Sequence, residues 1–223
     1  MLPLKSPNNK TITARKQRLI QAIARWEAVD PNPRCELYYE TPYQLLVSVL
    51  LSAQTTDKSV NRCMEPLYRA GFSTATVLEW GEEKLLSHIR TIGLAPTKAR
   101  HVVAMTRLLL EKHGGEVPEG QKDLEALPGV GPKTANVIRG EIFRYPTLAV
   151  DTHVLRVSAR LGLHEVTNPL KAEKALLQLA PPGSLPRLHH WLVLHGRYVC
   201  KAIRPACGTC VLADICPKVG VKG

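Results

Sequence analysis

Four cysteines, Cys200, Cys207, Cys210 and Cys216, crowd the end of the chain in the spacing C-x6-C-x2-C-x5-C. Sulfurs this close in sequence can converge on one tetrahedral sulfur site, which confines the segment to short loops around a common centre. Pro205 and Gly208 suit the turns required. No apolar signal-peptide core precedes them, so reduced, metal-binding thiolates fit better than a disulfide framework. The spacing alone leaves zinc and a [4Fe–4S] cluster both open. Cys35 and Cys63 lie apart from the group and are expected to be small buried hydrophobes.

Upstream, the apolar periodicity is helical. Pro42 opens an apolar run to Ala53, Asp57 is placed to cap a helix that Gly71 stops, and a short helix is expected over 82–90. Pro96 starts another, carrying Val102, Val103, Leu109 and Leu110 until His113-Gly114-Gly115 ends it. Helices over 151–161, 169–179 and 185–198 complete the set. No period-two alternation is convincing, so the predicted fold class is all-α. The longest apolar run, 45–51, is interrupted by Ser48 and falls short of the roughly 18 residues of a membrane span.

The formal charge is +11, with Lys and Arg outnumbering Asp and Glu by 30 to 19. Such an excess favours a polyanionic partner. Lys5, Lys10, Arg15, Lys16, Arg18 and Arg25 all precede the first acidic residue, Glu27, and read as a basic arm. An Arg-rich, acid-free start also resembles an organellar transit peptide. Against that, Ile12, Leu19, Ile20, Ile23 and Trp26 form an apolar helix face able to pack on the domain.

Asp123 to Ala126 leads into Leu127-Pro128-Gly129-Val130-Gly131, followed by Pro132, which suits the first position of a helix because its missing N–H would be unpaired there anyway. This is a helix-hairpin-helix. Its glycines permit close backbone approach, so N–H groups at a helix start can face a phosphate without reading sequence. By itself the pentapeptide is equally an ordinary tight turn. Two residues on, Lys133 sits in the first helical turn, where the macrodipole should lower an amine's pKa and favour the nucleophilic neutral form. Asp151, before Thr152-His153, has the place of a helix cap, and its carboxylate could also stabilise positive charge at a sugar. His153, His190 and His195 read as buried hydrogen-bonding groups, since four cysteines already complete a metal site.

These features, with Leu-Leu-Ser-Ala-Gln-Thr-Thr-Asp at 50–57, Thr-Ile-Gly-Leu at 91–94, His-His-Trp at 189–191 and Leu-His-Gly-Arg-Tyr at 194–198, resemble the endonuclease III family of helix-hairpin-helix DNA glycosylases. The resemblance covers nearly the whole chain. It implies a two-lobed fold: a six-helix barrel at 35–145, and a discontinuous lobe of 1–34 and 146–223 holding a [4Fe–4S] cluster on Cys200, Cys207, Cys210 and Cys216. It also implies a bifunctional glycosylase and AP lyase of base excision repair, removing oxidised pyrimidines, with Lys133 forming the Schiff base and Asp151 as the catalytic carboxylate. Gln54 and Leu94 would fill the gap left by a flipped nucleotide, because a stacked nucleotide hides its C1′. The hairpin residues Leu127, Gly129, Val130 and Gly131, with Lys201 and Arg204 in the cluster loop, would contact the backbone. The implied partner is double-stranded DNA with oxidised pyrimidines or abasic sites, met by a monomer in a bacterial cytoplasm, at the nucleoid, with no membrane involved. The related adenine-mismatch glycosylases lack the lysine. A non-catalytic DNA-binding protein would leave Lys133 and Asp151 unexplained, and an electron carrier would leave the hairpin and the charge unexplained. One departure stands out: relatives often have an aromatic and a polar residue after the leucine, where this chain has Ala95-Pro96, and the loop is expected to be stiffer with fewer contacts to DNA.

Overall fold

The computed structural model describes residues 9–221, so Lys5 of the basic run lies outside the described residues. These are helices joined by turns and loops, with no strand among them. No described helix is long and apolar enough to cross a membrane. The chain divides into two compact units, residues 35–145 and residues 1–34 together with 146–223.

The unit at 35–145 is built around α2 (Pro42–Leu51), which is buried on nearly every side. Thr41 caps it and accepts from Gln44 N–H, with Pro42 at its start. Ser48, which interrupts the apolar run, is paired with the Tyr68 hydroxyl at 2.8 Å, so the break costs the core no unsatisfied group. α3 (Asp57–Arg69) is capped by Thr56, whose hydroxyl accepts from Ser59 N–H, and not by Asp57. Asp57 is instead the first helical residue, where a carboxylate meets the positive end of the dipole. α4 (Thr74–Ile89) is two helical pieces broken at Gly81, whose φ of 63° and ψ of −169° are not helical: the piece after the break is the short helix expected from residue 82, and the piece before it, opened by a reciprocal cap between Ser73 and Thr76, was not expected. α5 (Ala95–His113) ends at Gly114, also left-handed. α6 (Gln121–Glu125) and α7 (Pro132–Glu141) flank the hairpin. Leu45, Leu46, Met64, Leu85, Leu109 and Leu124 lie in its core.

The other unit packs α1 (Asn9–Val29), α8 (Thr152–Arg160), α9 (Pro169–Leu179) and α10 (Leu185–Tyr198) around Leu19, Trp26, Leu148, Val154, Leu176 and Trp191. The basic run is therefore no free arm. Leu19, Ala22 and Trp26 are buried, Ile12 and Ile23 pack beside them, and only Ile20 of the expected face is exposed. Three of its cations are spent within the unit: Arg15 pairs with Glu165, Arg18 donates to the carbonyls of Leu161 and Gly162, and Arg25 pairs with Asp214. α8 and α10 touch at Gly196, where an added Cβ would come within 2.8 Å of His153 Cβ and 3.2 Å of its Cα. The glycine of the Leu-His-Gly-Arg-Tyr run is thus a packing requirement.

Candidate active site and cluster site

The hairpin is held from below and open above. Leu127 and Val130 are buried, and Val130 N–H closes the turn on the Leu127 carbonyl while Leu127 N–H bonds Leu124. Their side chains and N–H groups face inward. Gly129 and Gly131 are exposed, and no described carbonyl accepts from their N–H groups. Gly129 has φ of 80°, and a Cβ there would lie 2.9 Å from both His101 Nδ1 and Leu50 Cδ1, so the fold itself demands glycine. Gly131 is different: its φ of −100° suits any residue, and a Cβ would meet nothing within 4 Å. The space beside it stays free for something outside the protein. Lys133 follows as the second residue of α7, exposed, with no hydrogen bond or ion pair to any described residue.

Two further loops of this unit carry residues singled out by resemblance. Gln54 and Leu94 are both exposed and both left-handed, with φ of 54° and 61°. A Cβ on Gly93 would lie 3.7 Å from the Gln54 carbonyl, which brings the two loops side by side. Ala95 does not share that surface. It is 5% exposed and belongs to the core, so the expected loss of a DNA-facing ring at this position does not hold: the first residue of α5 points inward. Pro96 begins the helix where an N–H would be unpaired.

Asp151 belongs to the other unit and caps α8, its Oδ1 accepting from Val154 N–H at 2.8 Å. Oδ2 receives no hydrogen bond from a described residue. His153 is half-buried and lies 3.1 Å from Arg156 Nη2 through Nδ1, and His190 is also half-buried, so neither is enclosed as expected. His195 is buried, and burial pushes its pKa down to about 4. Trp26 Nε1–H can only donate, so His195 Nδ1, 3.2 Å away, must be the acceptor, and the neutral ring carries its proton on Nε2. That nitrogen lies 3.5 Å from Cys210 Sγ and donates to it.

The four cysteines of the C-terminal segment line one cavity with Val157, Leu161 and Leu212. Among the described residues no three His, Cys, Asp or Glu side chains converge tightly enough for a single metal ion. Four cysteines lining one apolar cavity are a ligand set that a [4Fe–4S] cluster accepts. Burial pushes the Cys210 and Cys216 thiols up, and the neighbouring cysteines add to the effect. Gathering four thiolates is therefore costly unless cationic iron sits among them. The sulfurs already receive hydrogen bonds that would orient them: Leu212 N–H and His195 on Cys210, Lys218 N–H on Cys216, and Arg160 on Cys200. α8 anchors the loop after Cys200 through two arginines that sequence reasoning passed over. Arg156 Nε donates to the Cys200 carbonyl at 3.0 Å, and Arg160 donates to the carbonyls of Lys201 and Ala202. Lys201 and Arg204 are exposed on that loop. Cys35 and Cys63 are half-buried rather than buried, and Cys63 Sγ lies 3.2 Å from Thr91 Oγ1.

Residues 47–182 match the HhH-GPD superfamily of base excision DNA repair proteins, which defines the class of this fold and hairpin. Residues 200–216 match the iron–sulfur binding domain of endonuclease III, and the cofactor of this chain is a [4Fe–4S] cluster. Endonuclease III of Haemophilus influenzae is 44% identical over 201 residues, spanning 90% of this chain and 95% of that protein. The Escherichia coli (strain K12) protein is 45% identical over the same shares, and that of Treponema pallidum 47% identical over 86% of this chain and 90% of its own. A solved structure of a trapped endonuclease III–DNA covalent intermediate superposes with a TM-score of 0.85 at 38% identity, covering 91% of this chain and 96% of that one. A thermostable thymine-DNA glycosylase shares the fold, with a TM-score of 0.79 at 21% identity, covering 92% and 96%. The chain belongs to the endonuclease III family, and is a DNA glycosylase and AP lyase of base excision repair.

Proposed function

We propose that this enzyme removes oxidised pyrimidines from double-stranded DNA and then cleaves the strand through a Schiff base on Lys133. The exposed amine of Lys133, paired with no described residue, directly after a hairpin whose Gly129 and Gly131 N–H groups reach no described carbonyl, is the observation that carries the reading. Those N–H groups of Gly129 and Gly131 bind a backbone phosphate and bring the sugar to the amine. Gln54 and Leu94, on their paired loops, fill the gap left by the extruded nucleotide. Lys133 Nζ attacks C1′ and the base leaves with the glycosidic electron pair, while the Asp151 carboxylate stabilises positive charge at the sugar. Ring opening gives an imine between Nζ and C1′; loss of a C2′ proton then breaks the C3′–O bond, and water releases the lysine. The cluster, when bound, cross-links the C-terminal segment and so holds Lys201 and Arg204 toward phosphate. The proposed setting is a monomer in the bacterial cytoplasm, at the nucleoid.

Borohydride reduction on a duplex carrying one oxidised pyrimidine tests this, since a covalent adduct reports damage recognition and imine formation together. Lys133→Gln should abolish the adduct and strand cleavage while leaving duplex affinity within a few-fold, because it removes a nucleophile and at most one phosphate contact. Undiminished trapping in that variant would remove Lys133 from the mechanism.

A further inference from the structure

Lys98 lies in the first turn of α5, where a lysine is ordinarily a solvated surface residue, yet it is only 4% exposed. Its ammonium makes three hydrogen bonds and all are to uncharged oxygens: the Leu51 carbonyl at 2.8 Å, the Ala53 carbonyl at 2.7 Å and Thr55 Oγ1 at 2.9 Å. Burial lowers its pKa. An ammonium buried on neutral acceptors is an expensive way to close a helix, when a glycine or a local side chain would do. The placement explains the choice. Leu51 ends α2, whose last carbonyls and negative dipole end attract a cation. Ala53 and Thr55 are the two residues flanking Gln54, which is left-handed between them. The backbone N–H of Lys98 meanwhile makes the first helical bond of α5, to the Leu94 carbonyl at 3.0 Å. One residue thus ties both sides of the Gln54 loop with its side chain and the base of the Leu94 loop with its main chain.

We infer that Lys98 is a positioning residue for nucleotide extrusion: it locks the paired loops so that Gln54 and Leu94 project in fixed, left-handed geometry. A left-handed backbone at a glutamine or a leucine costs energy that the surroundings must supply. Three charge-assisted bonds supply it here, and they are satisfied before DNA arrives, so no ordering cost falls on the binding step. The cation also neutralises the carbonyl end of α2 where a polyanion approaches. The functional half of this inference rests on the reading of Gln54 and Leu94 as gap-filling residues.

The test uses the cluster-loaded enzyme and Lys98→Met, which keeps the unbranched stem and drops the donors. Amide hydrogen exchange should rise by about tenfold or more at 52–56 and 93–95, and little elsewhere, as expected when bonds to a charged donor are lost. Single-turnover base release should slow by about tenfold, as misplacement of groups remote from the chemistry does, while Lys98→Arg recovers part of the rate. In a Gln54→Ala background the same change should cost measurably less than in the wild type, because one of the two residues it positions is gone. Unchanged exchange in the two loops overturns the inference, and so do losses that multiply across the two substitutions. If Gln54→Ala alone releases base at the wild-type rate, the gap-filling reading fails, and the exchange result alone decides whether Lys98 positions the loops. Should Lys98→Met not fold, Thr55→Val, which removes one acceptor, must raise exchange in the same segments or the inference falls.

Discussion

At Asp151 the two roles of a carboxylate can be separated, because one oxygen caps α8 and the other receives no hydrogen bond from a described residue. Asparagine caps a helix about as well as aspartate, so Asp151→Asn keeps the cap and removes the charge. Base release should slow far more than cleavage at a preformed abasic site, where no base has to leave. Equal losses on both substrates, with a lowered melting temperature, would instead assign Asp151 to the fold. His195 invites a similar separation. Its Nε2–H points at Cys210 Sγ because Trp26 occupies Nδ1, and His195→Leu keeps bulk while deleting that donor. Loss of a hydrogen bond to a ligating atom weakens metal binding by about tenfold or more, so iron should pass to a chelator faster by that order, followed by loss of visible absorbance. An unchanged release rate would make the histidine a core residue only.

At the scale of elements, Pro and Gly mark what the sequence made legible. α9 begins at Pro169, α10 follows the turn at Gly183 with Pro186 in its first turn, and the hairpin opens α7 at Pro132. The first half of α4 was not legible, because Thr74, Thr76 and Val77 are poor helix formers and the cap uses Thr76 where the usual signal is Glu or Gln. Lys98, Arg156 and Arg160 were illegible for another reason. A cation at a helical position gives no sign of its direction, and the acceptors of Lys98 lie more than forty residues away. Ala95 is the same problem reversed, a loop position by resemblance and a core position by packing. Ala95→Tyr should therefore overpack the start of α5, at a cost of about 1–3 kcal/mol read as a lower melting temperature. A variant as stable as the parent, with sharper discrimination of the opposing base, would restore the surface reading of this position.

For the whole molecule the question is which of the positive charges meet DNA. The formal +11 is reduced by about two once four thiolates hold an oxidised [4Fe–4S] cluster, and several cations are already committed inside the protein. Arg15, Arg25, Arg69 and Arg187 pair with Glu165, Asp214, Glu65 and Glu27. Arg18, Arg156 and Arg160 close carbonyls, and Lys98 is buried. Arg25 makes the contrast sharpest. It holds the stretch between Cys210 and Cys216 through Val211 and Asp214, and its guanidinium pulls the Asp214 carboxyl down to about 2. Lys201 and Arg204 are exposed in the loop that α8 anchors, so they are free to displace counterions. Replacing either with Gln should weaken duplex binding alike on damaged and undamaged DNA, and reduce the slope of log affinity against log salt by about 1. Arg25→Gln should leave that slope unchanged and speed iron loss instead, since it loosens a cluster loop and touches no phosphate. If Arg25→Gln flattens the slope as much as Lys201→Gln, the N-terminal helix is a DNA-binding surface after all and its ion pairs open in the complex.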